Sequence, residues 1–444
     1  MSQSVQKQHV AVIGAGAAGL AAAYSLSSAG KRVTLFEASP ETGGLASGFA
    51  DPAWDWPLDR FYHHWFQGDH DVLDLIKEIG AQDRVFFPRP ITALWHNNEA
   101  HAFDSPMAAL RYPGLSWMGK IRFGFAGLYL RLTRNWRPLE AATVQQWAPK
   151  WMGREAYEAL WRPLLIGKFG SLYDQVNMAW FWARIYKRSP RLGYFEGGFQ
   201  GFADAVAEAC RSNGAELRLN TPVNQIQPTA DGKIEIMHQD ETQTFDAVIS
   251  TISPTLMTQL CLDLPSNYLE QLASLQSIGA QTLILALRNQ LMKSTYWLNL
   301  PATSPDKEKN DFPFVALVEH TNYIDRKHYG NEHIVYCGDY LPSDHPYMQM
   351  DKDEVLRTYL PALKKVNPDF DHDWIRASFL FRESYAQPVP GVNHSRHIPP
   401  LHTPIPNLLW ASMSQVYPWD RGTNYAVEIG RRAAKIVIEK FGGQ

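Results

Sequence analysis

The chain has 444 residues, 45% of them hydrophobic and 20% charged, which is ordinary for a globular protein and long enough for two or three domains. Its net charge of -3 and pI near 6.6 leave no basic footprint for nucleic acid. Nowhere do 18 apolar residues run without a charge, so no transmembrane helix is expected. Aromatic content is high, with 15 Trp, 19 Tyr and 21 Phe, a load that either lines an apolar pocket or fills large cores. Three cysteines, Cys210, Cys261 and Cys337, fit no zinc spacing, so no metal site is expected, and the reducing cytoplasm is the simplest location. Residues 10–26 are small and apolar, but only one Lys precedes them, unlike a secretory signal.

In chain order, His9–Ile13 reads as a buried strand, followed at once by Gly14-Ala15-Gly16-Ala17-Ala18-Gly19. Leu20–Ala29 reads as a helix ended by Gly30, and Lys31–Phe36 as a second strand with Glu37 at its end. Each part has a physical task. Gly14 permits the tight turn, Gly16 lets the backbone approach a pyrophosphate, and Gly19 lets the helix pack closely on the strand. The helix N-terminus, with Ala17 and Ala18 in the turn before it, offers free N–H groups and its positive dipole end to phosphates. Glu37 lies 18 residues past Gly19, placed to accept hydrogen bonds from both adenosine ribose hydroxyls. Strand, glycines, helix, strand and acid occur in order within 30 residues, the context a dinucleotide-binding βαβ unit requires.

Immediately after Glu37 comes Ala38-Ser39-Pro40-Glu41-Thr42-Gly43-Gly44-Leu45-Ala46-Ser47. This stretch resembles the E-x(5)-G-G-x-x-x-[ST] continuation found in flavoproteins with two dinucleotide-binding domains. Gly43, Gly44 and Ser47 match it, whereas Leu45 replaces the usual Arg. Near the C-terminus, Asn407–Met413 resembles the strand that ends N-L-x-x-A-G-D in those proteins, with Ser412 and Met413 where the last Gly and Asp stand. Ser412 or Ser414 then substitutes for the missing ribityl acceptor, or the backbone suffices. Gly422–Ala434, with Thr423, Asn424, Tyr425 and Ala426 in its first turn, resembles the closing flavin-contact helix G-x-x-x-A-x-x-x-G-x-x-x-A. Ala426, Gly430 and Ala434 share one helix face there. Between them, Leu192–Gly201, a helix through Asn213 and a strand Glu216–Leu219 resemble the return to the FAD domain, and Val223 matches the position whose backbone contacts adenine. Strands at Ile234–Met237 and Thr244–Ser250 fit the small sheet that follows.

These segments span residues 9 to 434 and resemble the amine-oxidase-like flavoproteins, with protoporphyrinogen oxidase, phytoene desaturase and hydroxysqualene-type enzymes as relatives. UDP-galactopyranose mutase and the Rab GDP-dissociation inhibitors share the fold more distantly. The resemblance implies an α/β fold: a Rossmann-like FAD-binding domain (1–95, 190–270 and 386–444) with a discontinuous α+β substrate domain (96–189 and 271–385). It implies non-covalent FAD and hydride removal from an amine or an unsaturated, isoprenoid-like small molecule. A non-redox flavin isomerase like the mutases and a flavin-free binding protein like the dissociation inhibitors are the alternatives; the intact glycines and Glu37 argue against the latter. Oligomeric state stays open.

Within this frame the polar residues expected near the ring are candidates for chemistry. His63 and His64, in Asp59-Arg60-Phe61-Tyr62-His63-His64, are proton carriers or hydrogen-bonded packing residues. Lys168, in Gly167-Lys168-Phe169-Gly170, is a surface lysine or a counterpart of the lysine that holds a water near the flavin in some relatives. Tyr417 and Trp419 form an aromatic wall, and Asp420 and Arg421 pair with each other or bind a charged substrate group. Arg184 and Arg188, one turn apart in a helical Trp182–Arg191, either clamp a phosphate or carboxylate or lie in solvent. Trp117–Trp136 mixes apolar residues with Lys120, Arg122, Arg131 and Arg134. It reads as a helix covering the substrate domain, and its pattern leaves a peripheral membrane contact open.

Overall fold

The structure is a computed structural model and describes residues 7–441. Its centre is a five-stranded parallel sheet in the order Glu216–Arg218, Arg32–Phe36, His9–Ile13, Ala247–Ser250, Leu408–Trp410. Val12 stands opposite Leu35 on one side and Ile249 on the other, and all three are fully buried. Such a sheet is covered on both faces, which is why its strands read as continuous apolar runs. Helix Ala17–Ser28 packs against helices Gly198–Ser212 and Thr423–Phe441. The first helix begins three residues before the expected Leu20, directly after Gly16, so its N-terminus faces the glycine turn.

One expected strand is split. Thr244–Ser250 does not enter one small sheet: Glu241–Phe245 closes the antiparallel trio with Val223–Pro228 and Ile234–His238, whereas Ala247–Ser250 joins the parallel sheet. Asp246 makes the switch. Its carboxylate accepts from the His9 N–H (2.8 Å) and its own N–H donates to the His9 carbonyl (2.8 Å), so the chain is pinned as it crosses between sheets.

The other half is a seven-stranded sheet in the order Ile375–Pro388, Ser277–Leu287, His333–Leu341, Ala316–Glu319, Thr295–Asn299, Ile91–His96, Glu99–Ala102. It is antiparallel except where Ile91–His96 runs parallel to Thr295–Asn299. The sequence division cuts Ile91–His96 between Trp95 and His96, whereas the whole strand is bonded into this second sheet. Residues 106–186 form a helical layer beside it. Helix Trp117–Leu132 stops four residues earlier than expected, at a Thr133 in extended conformation. Helix Met178–Tyr186 ends before Arg188, consistent with Pro190 disfavouring helical geometry at the residue before it.

Candidate cofactor cradle and active site

Gly14, Glu37, Thr251 and Ala411 follow the carboxyl ends of four parallel strands, the crevice where open α/β sheets bind ligands. A Cβ on Gly19 would stand 1.8 Å from the Gly14 carbonyl oxygen, so only glycine lets the helix start this close to the strand. Gly16 differs. A Cβ there would meet nothing in the protein nearer than the Gly44 Cα at 3.9 Å. The space beside Gly16 is therefore open toward the crevice and is not required by packing. Gly16 takes the N-cap position with no side-chain cap, leaving the N–H groups of the Ala17-Ala18-Gly19 turn for a ligand.

The second glycine pair closes on the first. Gly43 N–H donates to the Ala15 carbonyl (2.9 Å), and Gly43 bridges Gly16 in parallel register. Gly43 and Gly44 have φ of 114° and 57°, a backbone that side chains rarely adopt. Leu45, Ala46 and Ser47 form the turn beyond them, with Ser47 N–H donating to the Gly44 carbonyl. Glu37 accepts from the Ala15 N–H (2.6 Å) and the Ser39 N–H (2.9 Å), beside an exposed Ala38. Thr221 N–H donates to the Glu37 carbonyl, which brings Val223 close to the same rim. A Cβ on Gly430 would fall 2.1 Å from the Ala18 carbonyl, so the closing helix is locked against the first. These features fit a dinucleotide: an open phosphate approach at Gly16, uncapped helix N–H groups and an acid at the strand end.

Other expected cofactor contacts have their side chains engaged within the protein. Thr423 Oγ1 accepts from Trp65 Nε1 (2.5 Å), and Asn424 Oδ1 accepts from the Val72 N–H (3.1 Å). Tyr425 stacks on Trp419, 5.5 Å apart and nearly parallel. Ser412 and Ser414 both hold the Tyr385 hydroxyl, at 2.9 and 2.7 Å. Met413 is half-buried beside them, and Ala426 begins the regular bonds of the closing helix through the Gly422 carbonyl. What this region leaves for a ligand is backbone, at the start of the closing helix.

Beyond the cradle, three of the proposed catalytic and substrate residues, Lys168, Arg184 and Asp420, meet at the Asp420 carboxylate. Lys168 Nζ lies 3.3 Å from Asp420, Arg184 pairs with the same oxygen, and Trp180 Nε1 and Gln387 Nε2 donate to the other (3.0 and 3.2 Å). Two expectations are corrected here. Lys168 is not a surface residue: its side chain is 14% exposed, over the rings of Trp180 and Tyr340. Asp420 and Arg421 do not bond each other, because adjacent side chains diverge. Arg421 instead donates to Gln387 Oε1 (3.0 Å) and to the Tyr340 hydroxyl. Burial opposes the Asp420 charge, but Lys168, Arg184 and Arg421 outweigh it and hold the carboxyl well below the usual range. Burial lowers the Lys168 pKa in turn. Burial raises Tyr340, yet Arg421 and Lys168 prevail and bring it below the ordinary phenol value.

His63 and His64 border this cluster. His63 Nδ1 donates to the Phe61 carbonyl (2.5 Å), which fixes the tautomer and leaves Nε2 as an acceptor. Burial, then Arg421, pushes its pKa down to about 4. His64 is pushed down to about 3 by burial, Arg188, His63 and Arg184, and its buried Nδ1 has no partner among the described residues. Arg188, past the helix end, is reached by solvent although protein confines it; burial and Arg184 press its pKa down to about 10. Tyr417 lies apart. Its hydroxyl donates to Glu140 (3.1 Å), accepts from Asn177 (3.0 Å), and packs on Trp136. Sequence reasoning missed Trp180, Tyr340 and Gln387. Trp180 alone left a signal, one turn before Arg184 on the same helix face.

Comparison with known proteins places these features in context. The model of the family described as "Flavin containing amine oxidoreductase" matches residues 17–438. Relatives include the carotenoid phi-ring synthase of Streptomyces griseus, 26% identical over 56% of this chain and 53% of that protein. The mitochondrial protoporphyrinogen oxidase of Nicotiana tabacum is 24% identical over 55% of this chain and 58% of that protein. Each alignment thus spans little more than half of the relative's length. Among solved structures, a putative protoporphyrinogen oxidase from Exiguobacterium sp. 255-15 superposes with a TM-score of 0.77 at 17% identity, covering 98% of this chain and 99% of that one. That likeness concerns the fold.

Proposed function

This chain belongs to the flavin-containing amine oxidoreductase family, a family with a flavin cofactor, and we propose that it is an FAD-dependent oxidoreductase acting on an amine or an unsaturated, isoprenoid-like molecule. The observation that carries this reading is the opening beside Gly16, flanked by Gly43-Gly44 and Glu37. Gly14, Gly16, Gly19, Gly43 and Gly44 would hold the pyrophosphate approach, Glu37 the ribose, and the start of the closing helix the ring. When bound, FAD supplies the acceptance of two electrons and a proton as hydride from substrate. All three cysteines are buried and free, which supports non-covalent binding and a cytoplasmic setting.

The chain's own residues orient substrate and manage protons. Lys168 and Arg184 are both held by Asp420, and the exposed Arg188 offers positive charge to an acidic substrate group. The His63 and His64 imidazoles are neutral at pH 7, and His63 Nε2 and His64 Nδ1, the latter without a partner among the described residues, are each able to take a proton as the substrate is oxidised.

The test is an absorbance spectrum of the purified protein, repeated on the supernatant after heat denaturation. Flavin bands near about 370 and 450 nm, with all the colour released as FAD, are the expected result. A colourless protein that stays colourless with added FAD would sink the reading and favour a flavin-free binding protein. Arg184 and Arg188 also suit the diphosphate of a sugar nucleotide, the feature a mutase-like isomerase needs. Substrate turnover without net oxidation would select that alternative.

A further inference from the structure

Between Ser105 and Leu139 the chain carries no acidic residue and six basic ones, Arg111, Lys120, Arg122, Arg131, Arg134 and Arg137, although its overall charge is -3. Helix Trp117–Leu132 lies in this stretch, capped by the Ser116 hydroxyl. A strip of Gly119, Ala126 and Leu130, with the half-buried Phe123 against Phe103 and Trp161, faces the protein. The opposite side is apolar and uncovered: Trp117 is 70% exposed, Met118 76%, Phe125 71% and Leu132 70%, with Ile121 and Leu128 above half. At about 100° per residue these six fall in one arc of about 100°, with Lys120 and Arg131 flanking one edge and Arg122 the other. Ten of the 15 large apolar side chains exposed among the described residues fall between Met107 and Trp151.

The stripe opens into a groove of about 790 Å³ between this helix and helix Val144–Trp151, where Trp147 and Trp151 continue the apolar floor. The acid on its rim, Glu155, is committed to Ser116, accepting from its N–H (2.5 Å) and its hydroxyl (2.6 Å). The helix covers the substrate domain's helical layer with its opposite strip, and packing does not use the widest apolar face of the segment.

We propose that helix Trp117–Leu132 is a peripheral membrane-docking element that lies in the interface of an anionic lipid bilayer. Charge complementarity selects this occupant. A second copy of the chain would set the flanking Lys120, Arg122 and Arg131 against like charges, whereas anionic headgroups meet them while the apolar stripe enters the acyl boundary. Trp117, Trp147 and Trp151 are suited to headgroup depth. The helix has 16 residues, and no helix among the described residues is long and apolar enough to cross a membrane, so it lies on the surface.

Flotation of the flavin-loaded protein with phosphatidylcholine vesicles, with and without phosphatidylglycerol, tests this. The expected result is recovery with phosphatidylglycerol-containing vesicles about 10-fold above that with phosphatidylcholine alone, reduced by high salt. The F125E/L128E double variant, altered only at exposed positions, is expected to lose recovery by about 10-fold or more while keeping its melting temperature and flavin spectrum. K120Q/R134Q is expected to lose preference for the anionic vesicles. Absence of wild-type flotation with either vesicle, or equal flotation of F125E/L128E, overturns the proposal. So does a lipid-free dimer in sedimentation that F125E/L128E abolishes, without vesicle binding.

Discussion

Lys168 Nζ and the Asp420 carboxylate stand 3.3 Å apart across 252 positions of sequence, joining the helical layer to the segment just before the closing helix. Arg184 adds a second cation to the same carboxylate. Removing one partner of such a site leaves uncompensated buried charge, a loss of about 3 to 5 kcal/mol. Asp420→Asn keeps the size and a carbonyl acceptor for Trp180 while deleting the charge. It is expected to destabilise the flavin-loaded protein by about 3 kcal/mol in denaturant titration. A loss below about 1 kcal/mol would mean that solvent, not Asp420, neutralises the two cations.

The glycine cradle separates folding from ligand binding. Gly19→Ala forces a Cβ onto the Gly14 carbonyl and is expected to lower the melting temperature of flavin-free protein. Gly16→Ala meets only an ordinary contact to Gly44. Its flavin-free melting temperature should stay near wild type while FAD affinity, by fluorescence titration, falls about 10-fold or more. Unchanged affinity would show that the pyrophosphate does not approach Gly16.

His63 and His64 are the candidate proton carriers. Substituting the one that accepts the proton is expected to lower kcat about 100-fold with flavin content retained. The other variant should stay within a few fold. Because both histidines are neutral in the fold, activity resting on either should persist down to about pH 5 before protonation at about 4 or 3 abolishes it. If His63→Ala and His64→Ala both turn over like wild type, neither carries the proton.

His320 links the fold to acid stability. It is 2% exposed, bonded to the Tyr329 hydroxyl (3.0 Å), and burial pushes its pKa down to about 3. The unfolded chain takes up this proton below its ordinary value of 6.5, whereas the folded chain does not until about 3. The contribution is therefore fully present above pH 6.5 and is lost as pH falls toward 3. Between pH 7 and 5 this amounts to about 2 kcal/mol. Denaturant titrations at both pH values should show wild type losing about that much more than His320→Gln. Equal losses would mean that His320 titrates normally.

The sequence by itself determined the dinucleotide unit. Gly14, Gly16, Gly19, Glu37 and the Gly43-Gly44 pair lie within 31 residues, and their tasks are local: a turn, a close approach, a helix start, an acid at a strand end. Gly430 was legible for a similar reason, since small residues four apart define a helix face whatever it packs on. What only the tertiary structure decided is pairing over long separations. Asp420 has Arg421 beside it in sequence, yet it binds Lys168 and Arg184, because neighbouring side chains diverge while packing of the helical layer delivers two cations to one carboxylate. Asp246 turns one apparent strand into members of two sheets through its bonds to His9, 237 positions away. For helix Trp117–Leu132 the periodicity specified an apolar face, but periodicity cannot say whether a face is covered. That depends on which surface the rest of the chain presents, and here it meets the opposite strip of Gly119, Phe123, Ala126 and Leu130.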